Sequence, residues 1–372
     1  MRTHRVLCLA AALVAACGQA NPSNQAPSPA DPPTVATGSP IAVKPSPDRG
    51  STEPSPVGSP LPVPPGLIVF DRLDAAFGAE GSYLGSAMIR GDGTGEKPLS
   101  APGDFDVFGA AWSPDGDRLS VVTWSSAGLP RPAILTRDGS VFTPLETPAP
   151  DTAMGCSDWS RDGEALLCER GSDTNPEVDG IYTLRLDDAR LERLTESPYH
   201  YTEGSAGGCG GGDARARYSP DGTQIAFIRQ RCGTGSNPAA DESAAIELMT
   251  SEGGDLHELV AQGRVKSHPG SQISWSPDGT RIAFGSQEGE LFLVDVDSGR
   301  VSAISMPAEI GSHHADGPEW SPDGKRLVFS MFVESRGDTD LYTISPDGSD
   351  LLRITAGGGA EHFARWGLPD TP

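Results

Sequence analysis

Seven residues carry most of the chemistry that this sequence could perform. They are Asp106, His268, His313, His314, Asp316, Glu361 and His362. Each stands four to seven positions ahead of a tryptophan: Trp112, Trp275, Trp320 or Trp366. Imidazole and carboxylate are ligands for divalent metals, and carboxylates also receive cationic groups. If the segments before those tryptophans meet, they make a candidate site for a divalent cation or a charged ligand. No cofactor is otherwise assignable. Adjacent His313 and His314 cannot both face one way in an extended segment, because neighbouring side chains alternate. Solvated connecting segments are the competing reading for all seven residues. The chain has no G-x-S-x-G elbow, Walker A run, H-E-x-x-H or complete EF-hand loop, so no catalytic residue is assigned.

The elements that would position these residues repeat. AWSPDGDRLSVV starts at Ala111, DWSRDGEALLC at Asp158, RYSPDGTQIAF at Arg217, SWSPDGTRIAF at Ser274 and EWSPDGKRLVF at Glu319. A bare copy, ARWG, stands at Ala364. The anchoring aromatics Trp112, Trp159, Tyr218, Trp275, Trp320 and Trp366 recur every 45 to 59 residues, a period of propeller-like repeats. Ser-Pro-Asp-Gly is a tight turn. Proline presets φ, the aspartate and serine bond nearby backbone, and glycine takes the positive φ that closes the reversal. A second hairpin follows each copy, as in ELFLVDVDSGRVSAIS from Glu290. Two hairpins make a four-stranded antiparallel blade, and a radial arrangement leaves only short protected edges.

The two ends of the repeat region complement each other. LIVF, from Leu67 to Phe70, occupies the place that follows the turn in every other copy, but it lacks a first strand. Residues 364 to 367 are a first strand lacking a blade. The expected fold is all-β: a six-bladed propeller of four-stranded antiparallel blades over residues 66–368, closed by the C-terminal strand, with 369–372 as a tail. The turn aspartates Asp115, Asp162, Asp221, Asp278 and Asp323 are expected to be structural.

These residues resemble the TolB-like propeller repeat, W-S-P-D-G-x-x-[IL]-[AV]-F. The resemblance covers residues 67 to 367 and implies the fold. It implies little about function, since the repeat occurs in binding proteins, peptidase gating domains and sugar-processing enzymes. The family's type member carries an α/β domain ahead of its propeller, and here a proline-rich segment stands in that place. The Tol transport role therefore does not carry over. The clustered histidines and carboxylates are similar in location, though not in motif, to those of propeller lyases of pectic sugars.

Ahead of the propeller, Arg2 and Arg5 precede an apolar run from Val6 to Ala16, too short to span a bilayer stably. Val14-Ala15-Ala16-Cys17 resembles a bacterial lipobox, which implies a signal peptide over 1–16, cleavage before Cys17 and lipid on its sulfur. An ordinary secretory signal cut near Ala20 is the alternative. Several acyl chains on one residue anchor stably, where one is marginal. Residues 17–65, rich in Pro, Ser, Ala, Gly and Thr, read as a disordered tether, because such a composition buries too little surface to offset chain entropy.

The whole chain carries a net charge of −23, to which Arg2 and Arg5 contribute +2 and residues 18 to 65 contribute −1. The −24 left on the propeller excludes nucleic acid as a natural partner, since no basic surface is available to neutralise phosphates. Export permits disulfides. Cys156 and Cys168 are symmetric about the turn residue Asp162, and Cys209 and Cys232 about the Pro220–Asp221 bond. Residues equidistant from a hairpin turn face each other, so Cys156–Cys168 and Cys209–Cys232 are the expected pairs. No C-x-x-C pair points to zinc.

The sequence thus leads to a monomeric envelope lipoprotein outside the cytoplasm, held to the cell membrane or outer membrane by its lipid. Its propeller would bind an envelope protein or a small-molecule ligand. The alternative is a metal-assisted lyase or hydrolase of sugars or lactones at the channel mouth. Replacing the anchor cysteine, Cys17→Ala, should move the chain from the membrane fraction to the soluble extracytoplasmic fraction and abolish palmitate labelling. Retention of the variant on membranes would remove the lipid anchor from this account.

Overall fold

The computed structural model describes residues 66–73, 83–101, 106–124, 129–148, 152–172, 175–198, 201–202, 209–231, 243–265, 272–356 and 359–369. The leader, Cys17, the tether, His268 and Cys232 lie outside these residues.

Six four-stranded antiparallel sheets form the blades of a propeller. The innermost strands of blades 2 to 6 are Asp106–Trp112, Ala153–Trp159, Gly212–Tyr218, Ile273–Trp275 and His313–Trp320. Blade 1 takes its innermost strand from the end of the chain: Ala360–Trp366 pairs with Leu67–Leu73, setting Ile68 opposite Trp366 and Asp71 opposite His362. Each innermost strand touches the next around the whole circle, including Ala360–Trp366 against Asp106–Trp112. Ring closure by the C-terminal strand is therefore as the sequence reads. A further small pair, Tyr201–Thr202 with Cys209–Gly210, precedes blade 4. Two short 3-10 turns, Pro176–Val178 and Ala308–Ile310, are the helical segments among the described residues. No helix there is long and apolar enough to cross a membrane.

The repeat builds this ring at two levels. Locally, the five Ser-x-Asp-Gly turns that follow the innermost strands close in the same way. In blade 2 the Ser113 hydroxyl donates to Asp115 Oδ1 and accepts from the Arg118 N–H, while the Asp117 N–H donates to the same aspartate. Ser160/Asp162, Ser219/Asp221, Ser276/Asp278 and Ser321/Asp323 repeat the arrangement. The turn glycines, for example Gly116 at φ 75° and Gly279 at φ 73°, sit in the left-handed region that side chains disfavour. The turn aspartates are structural, as expected.

Between blades, the anchoring aromatics act across the junction. Trp159 Nε1 donates to the Ala111 carbonyl of blade 2 at 3.0 Å, Trp275 to Arg217 of blade 4 at 3.2 Å, and Trp112 to Arg365 of the closing strand at 3.2 Å. The arginine two residues past a turn glycine covers the next ring: Arg118 lies over Trp159 and Arg281 over Trp320, each at 4.8 Å. Each junction holds its own buried apolar cluster. At the closing junction this cluster contains Ile68, Phe70, Val328, Leu341, Ala364 and Trp366. Burial of one such side chain stabilises by roughly 1.5–3 kcal/mol, so a missing blade edge removes many of these contributions at once.

Cys156 and Cys168 are bonded, and they stand directly opposite each other in the first hairpin of blade 3. That matches the register argument. The Cys209–Cys232 pair falls partly outside the described residues.

Deleting residues 359–372 should abolish cooperative thermal unfolding monitored by circular dichroism. Moving Ala360–Trp366 ahead of Leu67 through a new Ser-Pro-Asp-Gly turn should restore it. A deletion variant that melts as sharply as the parent would show that the ring does not depend on its last strand.

Candidate functional site

An antiparallel blade puts its first and third turns on one face. The connection between its second and third strands, and the one entering the next blade, lie on the other. The Ser-x-Asp-Gly turns therefore share one face, and the innermost strands start from the opposite one. Six of the seven sequence-selected residues are described, and they group at these strand starts; His268 lies outside the described residues.

Most of them lie within strands, not in the connections before them. Asp106 is the exposed first residue of its strand. His313 opens the blade 6 strand, and its Nδ1 donates to the Gly311 carbonyl at 2.8 Å. His314 is half-buried and packs so closely on Gly289 that a methyl group there would come within 2.5 Å of its ring. Asp316 is buried, with Oδ1 accepting the Gly317 N–H at 2.7 Å. Glu361 is wholly buried; it accepts from Arg72 Nε at 3.0 Å and from Thr355 Oγ1 at 3.3 Å. His362 is half-buried beside Phe363. The reason for this correction is that the innermost strands of blades 1, 2 and 6 begin six or seven residues ahead of the tryptophan, so these positions are part of the sheet. Among the described residues no three His, Cys, Asp or Glu side chains stand together as a metal set.

What the structure gathers on the axis is a different group, formed by the residue just before each anchoring aromatic. Asp158, Arg217, Glu319 and Arg365 come from blades 3, 4, 6 and 1 and make one buried network. Arg217 pairs with Glu319 and stands 3.8 Å from Asp158, and Arg365 stands 3.4 Å from the same Glu319 oxygen. Arg365 Nη2 also donates to the Ser157 carbonyl at 2.9 Å, and Arg217 Nε to the Ile273 carbonyl at 3.1 Å. Arg217–Glu319 joins blades 4 and 6, and Arg365–Ser157 joins blades 1 and 3; contacts between blades that are not neighbours require side chains meeting at the axis. Two cations and two carboxylates balance, and the main-chain carbonyls satisfy the remaining guanidinium donors, as a buried ion cluster requires. Burial pushes the Glu319 carboxyl up to about 7, although Arg217 pulls the other way.

Two residues nearer the strand starts, the strands bulge. The residue three before the aromatic takes a positive φ in four blades: Gly109, Arg215, Gly317 and Phe363. Glycine does this freely, whereas Arg215 (φ 59°) and Phe363 (φ 56°) are strained, and such residues concentrate at functional positions. The two meet, with the Arg215 guanidinium 5.2 Å from the centre of the Phe363 ring. A buried carboxylate of the preceding blade fixes the bulge in two places. Glu169 Oε1 accepts the Arg215 N–H at 2.6 Å, and Asp71 Oδ2 accepts the Gly109 N–H at 2.8 Å. Desolvation pushes Asp71 up to about 6 and raises Glu169, while it lowers Arg215.

Between this layer and the charged network lies a cavity of ≈ 20 Å³, room for about one water. Glu169, Arg215, Gln272, Phe363, Arg365 and Cys156 are among its walls. Gln272 is 3% exposed, and its Oε1 accepts no hydrogen bond from the protein. The axis is therefore blocked on the turn side by ion pairs and polar on the strand-start side.

Sequence reading missed Asp71, Asp158, Glu169, Arg215, Arg217, Glu319 and Arg365. One signal was available. A charge directly before a core aromatic, at one repeat position in four blades, is misplaced for a simple core strand.

No family model matches the chain, and no curated protein matches it. Among solved structures, TolB from Acinetobacter baumannii aligns with a TM-score of 0.58 at 19% identity, over 81% of this chain and 66% of its own. Hydrazine synthase from Kuenenia stuttgartiensis gives 0.56 at 13% identity, over 81% of this chain and 46% of its own. A TolB from Agrobacterium tumefaciens, described as putative, gives 0.49 at 18%, over 82% and 93%. The chain thus spans just under two thirds of the first of these and less than half of the second. The likeness is one of fold: a TolB-type six-bladed β-propeller.

The buried carboxyls predict the pH dependence of stability. Asp71, Glu319 and Glu361 titrate near 6, 7 and 7, above their ordinary 3.8, 4.5 and 4.5, so the folded state holds protons more tightly than the unfolded chain. Stability from these groups should rise as pH falls from about 7 towards about 5. The turn aspartates are shifted down by their serine hydroxyls, so their contribution is lost below about pH 4. The melting temperature should peak near pH 5, and Glu361→Gln should flatten the limb between 5 and 7. A profile that falls steadily from pH 7 to 5 would contradict the buried carboxyl assignment.

Proposed function

We propose that this chain, built on a TolB-type six-bladed propeller, is an extracytoplasmic lipid-anchored binding protein that receives its ligand or protein partner on the face where the innermost strands begin. The observation that carries this reading is the form of the axis. The Asp158–Arg217–Glu319–Arg365 network blocks it on one side, and a polar cavity with room for about one water lies on the other. Its walls include Glu169, Arg215 and Gln272. A few convergent polar groups on a rigid scaffold are a usual feature of binding sites. The strained Arg215 and Phe363 support the same reading, since their backbone cost persists only where the surroundings enforce it.

The connections around the axis would set specificity. The insertions after the hairpins, Asp71 to Tyr83, Gly171 to Asp179 and Gly233 to Ser243, are the segments that would tune it. Loops on a rigid scaffold vary without disturbing the fold. The Cys156–Cys168 bond supports an oxidising compartment, in keeping with the export signal. An envelope protein, or a small molecule bearing hydrogen-bond donors, would suit the acceptors of Glu169 and Gln272.

Photo-crosslinking in the native envelope tests this. A photoreactive residue at Asp106 or His313 should yield a discrete adduct, and one at Lys325, on the opposite face, should not. Adducts from Lys325 alone, or none from the strand-start positions, would overturn the assignment of the binding face.

A further inference from the structure

The turn face carries a second feature, unrelated to the axial cavity. Between blades 1 and 2 an open cleft of ≈ 550 Å³ is lined by Arg90, Lys97 and Arg137, together with Leu67, Asp117 and Asp138. Three cations on one cleft are unusual for a propeller with a net charge of −24. Arg90 and Lys97 have no carboxylate within ion-pair distance among the described residues. Several basic side chains elsewhere are paired with carboxylates: Arg185 with Asp187 and Glu164, Arg353 with Asp338 and Asp340, Lys325 with Asp323. Asp138 does not neutralise the cleft by reaching across it. Its Oδ1 is held inside its own turn by the Thr136 hydroxyl and by the Ser140 N–H and hydroxyl, which push its pKa down to about 2.

Two of the three cations have defined positions. Arg137 stacks on the Trp112 ring at 5.2 Å, and its Nη1 donates to the Gly116 carbonyl at 3.2 Å and the Leu368 carbonyl at 3.4 Å. The Arg90 guanidinium lies across the turn at Gly95, where a Cβ would stand 2.1 Å from Nη1. Only glycine allows that placement. The backbone there is also at φ 69°, so the position favours glycine twice over.

We propose that this cleft is a binding site for a small multivalent oxyanion, bearing carboxylate or phosphate groups, at the junction of blades 1 and 2. Its volume falls within the range of small-molecule sites. Guanidinium groups offer forked donors that match carboxylate and phosphate oxygens. The acidic domain repels such an anion at long range. At physiological ionic strength that repulsion is screened beyond about 8 Å, whereas contacts within the cleft are not, so the local cations decide the outcome.

Calorimetric titration of the full mature chain with citrate, and separately with inorganic pyrophosphate, tests the site. At least one anion should bind saturably at one equivalent, and the two arms separate carboxylate from phosphate preference. The double variant Arg90→Gln, Lys97→Gln should weaken binding about tenfold or more, the loss expected for charge-assisted bonds. Lys325→Gln, on the same face but in blade 6, should leave it unchanged. Should the double variant fold poorly, Gly95→Ala, which displaces Arg90, and the rim substitution Lys97→Gln alone serve as independent probes. Absence of saturable binding of either anion, or binding indifferent to the cleft variants, or equal loss in Lys325→Gln, would refute the proposal.

Discussion

The constraint on which everything else rests is that six twisted sheets must close a circle. An open fan would leave one apolar blade face and one row of backbone groups in water. The closing strand removes both liabilities. It pairs Trp366 with Ile68, and it fills the last junction with Phe70, Val328, Leu341 and Ala364. It also supplies the carbonyl of Arg365 that receives the Trp112 indole. Blade 2 thus depends for its anchor on residues more than two hundred positions away, although the intervening blades are each joined by short-range contacts. Circular closure converts a string of marginal hairpins into one cooperative object, since no blade is complete without both neighbours.

Closure has a consequence at the centre. Innermost strands brought into a circle present six equivalent positions to a narrow axis, and whatever occupies them must pack and be satisfied there. In this protein the axis is not apolar. It holds a balanced ion cluster whose donors end on main-chain carbonyls, overlaid by bulges whose N–H groups end on buried carboxylates. Such clusters add little net stability when compared with well-packed apolar residues, because desolvation opposes attraction. Their value here is geometric. They block the axis and hold Arg215 and Phe363 in conformations that neither would choose alone. The polar cavity above them is the product of that restraint.

Two faces of the disc are therefore built on different logic. The turn face repeats one serine–aspartate–glycine motif, and its variation lies in the side chains beside the turns, such as Arg90, Lys97 and Arg137. On the strand-start side the described connections differ between blades, from the tight turn at Ser286–Glu290 to the 3-10 turn at Ala308–Ile310. Repetition makes the scaffold, and departures from repetition mark where ligands can be distinguished.

Much of the fold was legible from the chain alone, because the signals that define it are local. Turn chemistry is written in four consecutive residues, blade length in the spacing of Trp112, Trp159, Tyr218, Trp275, Trp320 and Trp366, and the Cys156–Cys168 bond in equal distances from one turn. Even ring closure could be read, since a missing first strand at Leu67 and a surplus one at Trp366 are complementary. The axial site was not legible in the same way. Arg217 meets Glu319 across 102 positions, and Arg365 meets Ser157 across 208. No local pattern encodes which charges will face each other across a circle. The histidines and carboxylates chosen from the sequence shared a stretch four to seven residues ahead of the aromatic, but alternation and bulging sent Glu361 to Arg72, and Asp316 to the Gly317 N–H. Local physics fixed the blades; the pairing of distant charges, and with it the site, was decided only when the ring closed.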